Sequence, residues 1–260
     1  MKKLIFLFTL TSFFYSCENS TKSTNTQNEV IDNDSLVIDY PDEIMEVFQA
    51  HGGLAKWNEM RTLEFTIQNE EGDERVLTSL KTRKSLIETE KFRIGFDGDS
   101  VWIEQDSAYF KNDPKFYHNL MFYFYAMPFV LADPGINYSS VDSLEFQGNS
   151  YPGIKISYND GIGDSPEDEY VLYYNPETKK MEWLSYTVTY FSGDKSQDFH
   201  YIKYDQWQDI NGLLLPKTLQ WYNVEGDSIT SMSNERVFKA VRLSQEELPD
   251  STFEKMGPSN

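Results

Sequence analysis

The chain has 260 residues, with 23 basic against 42 acidic side chains and a net charge of −19. A field of that sign excludes nucleic acid as a partner, because phosphate binding needs the opposite charge. It also repels anionic headgroups, so attachment to a membrane has to come from apolar groups and not from a basic protein face.

Lys2 and Lys3 precede an apolar run of twelve residues, Leu4 to Tyr15. That run is shorter than the roughly 20 residues a membrane-spanning helix needs, and it predicts a signal peptide over residues 1–16. Ser16 then places a small residue before Cys17, the one cysteine of the chain. This junction resembles a lipobox, in which the thiol is diacylated and the chain is cut just ahead of it. The alternative is an ordinary signal peptide that leaves a free thiol, which would be unusual in an oxidising compartment. The expectation is therefore a lipoprotein of the bacterial cell envelope, lipidated at Cys17 and held to a membrane by diacylglyceryl-cysteine. Glu18, where an Asp would signal inner-membrane retention, leans toward an outer-membrane lipoprotein facing the periplasm or the surface. Loss of Lys2 and Lys3 leaves 21 basic against 42 acidic groups, a net of −21.

Residues 17–40 read as a lipidated flexible tether, built largely of Ser, Thr, Asn, Gln, Asp and Glu and too polar to bury a core. Residues 41–260 read as one mainly β (α+β) domain. It opens with a helix: Pro41-Asp42 as the start, Ile44, Val47 and Phe48 at helical spacing, and His51-Gly52-Gly53 as the stop, with a short second turn over Leu54 to Trp57. Half-buried antiparallel strands follow, among them Thr62 to Gln68, Phe92 to Phe96, Val101 to Ile103, Ile154 to Tyr158, Tyr170 to Tyr174, Leu184 to Phe191 and Leu214 to Tyr222. Tight-turn signals separate strands at Gly72, Asp97-Gly98, Asn175-Pro176, Gly193, Asn211-Gly212 and Gly226, so hairpins connect the sheet. One segment breaks the alternation. Pro114 to Leu131 is apolar on every side and predicts a helix inserted into the interior, on the concave side of a curved sheet.

Chemistry-bearing motifs are scarce, with no His-Glu-x-x-His, Gly-x-Ser-x-Gly, phosphate-binding loop or dinucleotide fingerprint. His51, His118 and His200 stand apart, without metal-ligand spacing, and read as helix-capping, core-edge and strand-surface residues. The acidic loop Asp160 to Glu169 misses the EF-hand spacing and reads as solvated. Asp97, Asp99, Glu104 and Asp106 bracket a hairpin, where a glycosidase would need two carboxylates across a cleft. No cofactor, metal or catalytic residue is expected. The many Trp, Tyr and Phe residues can form either a packed core, which is the default, or the wall of an apolar pocket, toward which their excess leans modestly.

His51-Gly52-Gly53-x-x-x-Trp57, Phe96-Asp97-Gly98-x-x-Val101-Trp102, Pro128 to Gly135 and Asn211 to Lys217 together resemble an uncharacterised family of Bacteroidota lipoproteins. That family is similar to the LolA/LolB superfamily, and the resemblance covers roughly residues 42–240. It implies an open, strongly curved antiparallel β half-barrel with helices on the concave face and an apolar cavity for acyl chains. The function expected is binding of a lipid or another hydrophobic ligand, in envelope lipid or lipoprotein handling. The residues expected to line the cavity are Trp57, Phe65, Phe92, Phe96, Trp102, Phe116, Leu120, Phe124, Phe129 and Trp183, and a one-residue slip of strand register would turn any of them outward. Two alternatives stand beside it: an envelope hydrolase acting on glycan or ester through the acidic loops, and a passive structural lipoprotein whose hollow is filled by its own aromatic segment.

Overall fold

The computed structural model describes residues 40–159, 167–226 and 228–256. Within them the chain opens with two short helices, α1 (Asp42–Ala50) and α2 (Leu54–Glu59). Five strands follow: β1 (Thr62–Ile67), β2 (Glu74–Ser79), β3 (Ser85–Glu88), β4 (Phe92–Phe96) and β5 (Val101–Gln105). A helical stretch, α3 (Pro114–Tyr117) and α4 (Leu120–Tyr125) with a 3-10 turn over Phe129–Ala132, leads to β6 (Ile136–Phe146), β7 (Asn149–Tyr158), β8 (Tyr170–Tyr174) and β9 (Met181–Tyr186). The last strands are β10 (His200–Lys203), β11 (Trp207–Ile210), β12 (Leu213–Pro216), β13 (Thr218–Glu225) and β14 (Ser228–Ser244).

Twelve of these strands form one antiparallel sheet in the order β5-β4-β3-β2-β1-β14-β13-β10-β9-β8-β7-β6, while β11 and β12 pair as a separate hairpin. The sheet is curved and does not close. Its two halves are joined by the 17-residue β14, whose far ends pair with β13 and with β1. Register shifts between Glu64 and Thr66, opposite Ala240 at φ 52°, where β14 carries an extra residue. A bulge of this kind bends a strand and strengthens its twist, which suits the point where the sheet turns.

The two faces of the sheet differ in what they bury. On the inner face Leu63, Phe65, Ile94, Ile156, Leu172, Leu184 and Ile202 are fully enclosed beneath the helices. On the outer face of the first half, cross-strand neighbours alternate in charge: Arg242, Glu64, Arg75, Glu88, Arg93 and Glu104, one per strand from β14 to β5. Arg75 bridges Glu64 at 2.7 Å and Glu88 at 2.6 Å, and Arg93 reaches Glu88 and Glu104 at 3.0 Å each. Beside this ladder Trp102 lies across Gly95, where an added Cβ would come within 2.2 Å of its ring. Its indole N–H donates to the carbonyl of Phe253 at 2.8 Å. The C-terminal turn thereby seals Leu77, Leu86 and Trp102 with Phe253.

α1 forms because Ile44, Val47 and Phe48 make one apolar stripe, all three fully buried, above an acidic first turn. It stops at Gly52, whose φ of 106° and 2.2 Å Cβ clearance to the Gly212 carbonyl admit no side chain. The β11–β12 hairpin docks at this point, with the Leu214 amide donating to His51 O at 2.9 Å.

The expectation of one helix over Pro114 to Leu131 is corrected. The segment folds as α3, α4 and a 3-10 turn, none longer than six residues. Asp113 caps α3 through the Lys115 amide at 2.9 Å, and Pro128 follows α4 through a cis peptide bond. Proline offers no amide hydrogen and clashes with the preceding turn, so an apolar run that contains it cannot continue as a helix. The placement in the interior stands: Phe122, Tyr125, Met127, Phe129 and Leu131 are each at most 2% exposed.

Candidate functional site

The aromatic segment fills the centre of the concave face. Tyr125 packs on Phe65 and Phe238, with ring centroids 4.3 and 4.4 Å away, and Tyr204 ties the segment down by donating to Phe124 O at 2.8 Å. To one side of this plug a cavity of about 610 Å³ remains. Its apolar wall is made by Trp57, Leu80, Phe116, Leu120, Phe124 and Val130, and its opposite wall by Tyr158 and Tyr170 from β7 and β8.

Polar groups gather on the rim. Arg83, in the β2–β3 turn, places both carboxylate oxygens of Asp133 within 2.6 Å of its Nη2 and lies 5.2 Å from the Phe122 ring. Its Nη1 has no hydrogen-bond partner among the described residues. Burial pushes the Asp133 carboxyl up while Arg83 pulls it down. Lys81 donates to Asn58 O at 2.7 Å, and desolvation with Arg61 and Arg83 nearby lowers its pKa. Asp168 accepts from the Thr189 amide and hydroxyl, both at 2.7 Å, which offsets part of the rise that burial imposes. Burial raises Tyr158 and Tyr170, so their phenols stay neutral and act as donors or acceptors only. At the mouth Phe116, Tyr190 and Phe191 form a triangle with centroids 5.0 to 5.1 Å apart, and Phe191 is 72% exposed.

Of the ten residues expected to line a cavity, Trp57, Phe116, Leu120 and Phe124 meet here. Phe129 stands behind them, stacked on Trp57 at 4.6 Å. Phe65 lies in the solid core under Tyr125. Phe92 and Phe96 share the inner face but border other recesses, next to Phe110 and His118 respectively. Trp102 and Trp183 are corrections, because register turns both to the outer face. Trp102 sits under the C-terminal turn, and Trp183 packs fully buried among Phe146, Tyr173 and Tyr222. Strand pairing decides this, and alternation within a strand leaves the choice of face open. Sequence reasoning missed Arg83, Asp133, Tyr158, Asp168 and Tyr170 as lining residues. Tyr158 and Tyr170 were detectable as the inward members of alternating runs, whereas Arg83 sits in a turn with no pattern of its own and Asp133 lies in the Pro128 to Gly135 motif, which does not announce what its carboxylate faces.

Two of the carboxylates considered for hydrolysis, Asp97 and Glu104, have other engagements. Asp97 caps its own turn, accepting from the amides of Asp99 and Ser100 at 2.9 Å, and those bonds hold its carboxyl below the usual range. Glu104 belongs to the outer charge ladder. Residues 160–166 of the acidic loop lie outside the described residues, as do the signal peptide, Cys17 and residues 18–39 of the tether, whereas Tyr40 at the tether's end packs on Phe48 and donates to the Ala132 carbonyl at 2.8 Å. Among the described residues no group of three or more His, Cys, Asp or Glu is placed to hold a metal, and no helix is long and apolar enough to cross a membrane. His51 and His118 are buried and His200 is exposed, matching their capping, core-edge and surface readings.

The molecule is thus an open antiparallel half-sheet wrapped on an aromatic plug with a lateral cavity. The chain belongs to a family of unknown function, DUF6503, whose model matches residues 98–232, a span that holds the plug and the second half of the sheet up to β14. No match is found among curated proteins. Similar solved structures include a DUF1329 family protein from Desulfovibrio piger, at 11% identity and TM-score 0.47 over 82% of this chain and 98% of that one. A LolA superfamily protein from Nitrosomonas europaea aligns at 11% identity and TM-score 0.39, over 80% and 98% of the two chains. A domain assigned to outer membrane lipoprotein sorting, from Vibrio parahaemolyticus, aligns at 12% identity and TM-score 0.40, over 78% and 97%.

Proposed function

We propose that this protein binds an acyl chain or similar hydrophobic ligand in the cavity beside the aromatic plug, while lipid on Cys17 holds it to a membrane of the cell envelope. In this reading it takes part in lipid or lipoprotein handling and performs no catalytic step. The observation that carries the reading is the cavity of about 610 Å³ walled by Trp57, Leu80, Phe116, Leu120, Phe124 and Val130. Ligand pockets of this kind are mostly apolar, with a few polar groups that set orientation, and span roughly 300 to 1,000 Å³. Each methylene moved from water to such a wall gains about 0.8 kcal/mol, so a chain of about ten carbons supplies about 8 kcal/mol toward binding before the cost of ordering it. Lys81 and Arg83 at the rim suit the polar end of such a ligand.

Leu120 and Phe116 are only partly buried and can be changed without opening the core. Titration with a fluorescent fatty acid should saturate at one site on the unmodified protein and weaken about tenfold or more in Leu120→Asp, which places a charge on the apolar wall. Equal uptake by the two proteins would place the ligand elsewhere.

A further inference from the structure

A second recess, of about 550 Å³, opens at the opposite end of β2. It lies between the β1–β2 and β3–β4 turns, residues 109–112, and β14. Glu74, the first residue of β2, borders it on the inner face, opposite Ile67, and is 3% exposed. Its Oε2 accepts from the Tyr117 hydroxyl at 2.8 Å. Its Oε1 has no hydrogen-bond partner among the described residues. A carboxylate oxygen withdrawn from water without a donor is destabilising, and the cost disappears when a donor, best of all a cationic one, is supplied.

The surroundings specify which donor. Beside Glu74 runs an aromatic wall of Phe92, Tyr109, Phe110 and Tyr117, with Phe110 5.0 Å from both Phe92 and Tyr117. Ring faces attract ammonium groups, and this wall already holds one, since Lys91 Nζ lies 4.5 Å from the Tyr109 centroid. Glu70, Glu71, Glu90 and Glu235 on the rim outnumber the cations Lys91 and Arg236. Burial pushes the Glu74 carboxyl up, and the Tyr117 bond and the field of Arg236, whose own Nη1 is directed to Asn234 at 3.3 Å, draw it part of the way back toward the ionised form. Aromatic walls and the lack of a third converging ligand among the described residues fit an organic cation and not a metal ion.

We propose that this recess is a binding site for an organic ammonium group with no anion next to the nitrogen, held by Glu74 Oε1 and the aromatic wall. The rim carboxylates repel a phosphate or carboxylate close to the amine, which selects alkyl- or arylammonium compounds over zwitterions. The site is separate from the acyl-chain cavity and does not depend on it.

Calorimetric titration of the purified protein with n-hexylammonium chloride tests the assignment, with hexan-1-ol as the neutral counterpart and O-phosphoethanolamine as the zwitterion. Hexylammonium should bind about tenfold or more tightly than either, and Glu74→Gln should abolish that preference while the folded protein melts no lower than the unmodified one. Leu120→Asp should leave hexylammonium binding as it was, which separates this site from the cavity above. Should Glu74→Gln fail to fold, the unmodified protein decides alone, through its preference for amine over alcohol and amine-induced shifts of the Tyr117 ring resonances. Equal affinity for amine and alcohol, equal binding of phosphoethanolamine, or a folded Glu74→Gln that keeps the preference would overturn the assignment.

Discussion

His51 is the residue whose surroundings say most about how this domain responds to pH. It is fully buried at the end of α1, and its ring lies edge-on to Trp207, with centroids 4.4 Å apart. Its Nδ1 hydrogen-bonds the Val47 carbonyl at 2.8 Å and its Nε2 has no partner among the described residues. Desolvation outweighs the Val47 bond and lowers the pKa from 6.5 to about 4. The unfolded chain therefore binds a proton that the folded chain refuses, and stability present above pH 6.5 is lost as pH falls from there toward 4. Urea unfolding at pH 7.5 and pH 5 should show a loss of about 2 kcal/mol that is absent in His51→Gln. Equal losses in both proteins would assign the acid sensitivity to other groups. The position of His51 at the helix stop was legible, because His-Gly-Gly ends an apolar stripe. Its burial was not, because it depends on the β11–β12 hairpin arriving from more than 150 residues downstream in the chain.

At the scale of elements, hairpins were legible and faces were not. Asp97-Gly98, Asn211-Gly212 and Gly226 each mark a turn between paired strands, because residues tolerant of positive φ announce themselves locally. Trp102 and Trp183 looked like cavity residues because large aromatics in alternating strands look the same on either face. Their true covers are the C-terminal turn and the aromatic cluster around Phe146. The C-terminal turn follows β14 and carries little pattern beyond Leu248 and Phe253, so nothing in it announced that it caps the outer face. Phe253 is 1% exposed and meets Leu77, Leu86 and Trp102. Phe253→Ala should lower the unfolding free energy by roughly 3 kcal/mol or more through the cavity it leaves. The same change should shift tryptophan emission to the red as Trp102 meets water. A wild-type denaturation midpoint in this variant would mean that the turn lies loosely on the sheet.

At the scale of the whole molecule, the open antiparallel sheet with helices on its concave side matches the architecture the motifs implied, and the long bent β14 explains how one sheet serves both halves. The aromatic segment does two jobs that sequence inspection could not separate. Phe122, Tyr125 and Met127 fill the hollow, while Phe116, Leu120 and Phe124 leave a cavity at its flank. The proposed ligand site is thus the space the plug does not occupy, bounded by residues from both halves of the sheet. The most direct test is a native mass spectrum, with lipid extraction, of residues 18–260 made in a bacterial host and purified without detergent. A reproducible adduct of lipid mass is expected, diminished in Leu120→Asp. A bare protein mass, with no acyl chain taken up when one is supplied, would contradict it.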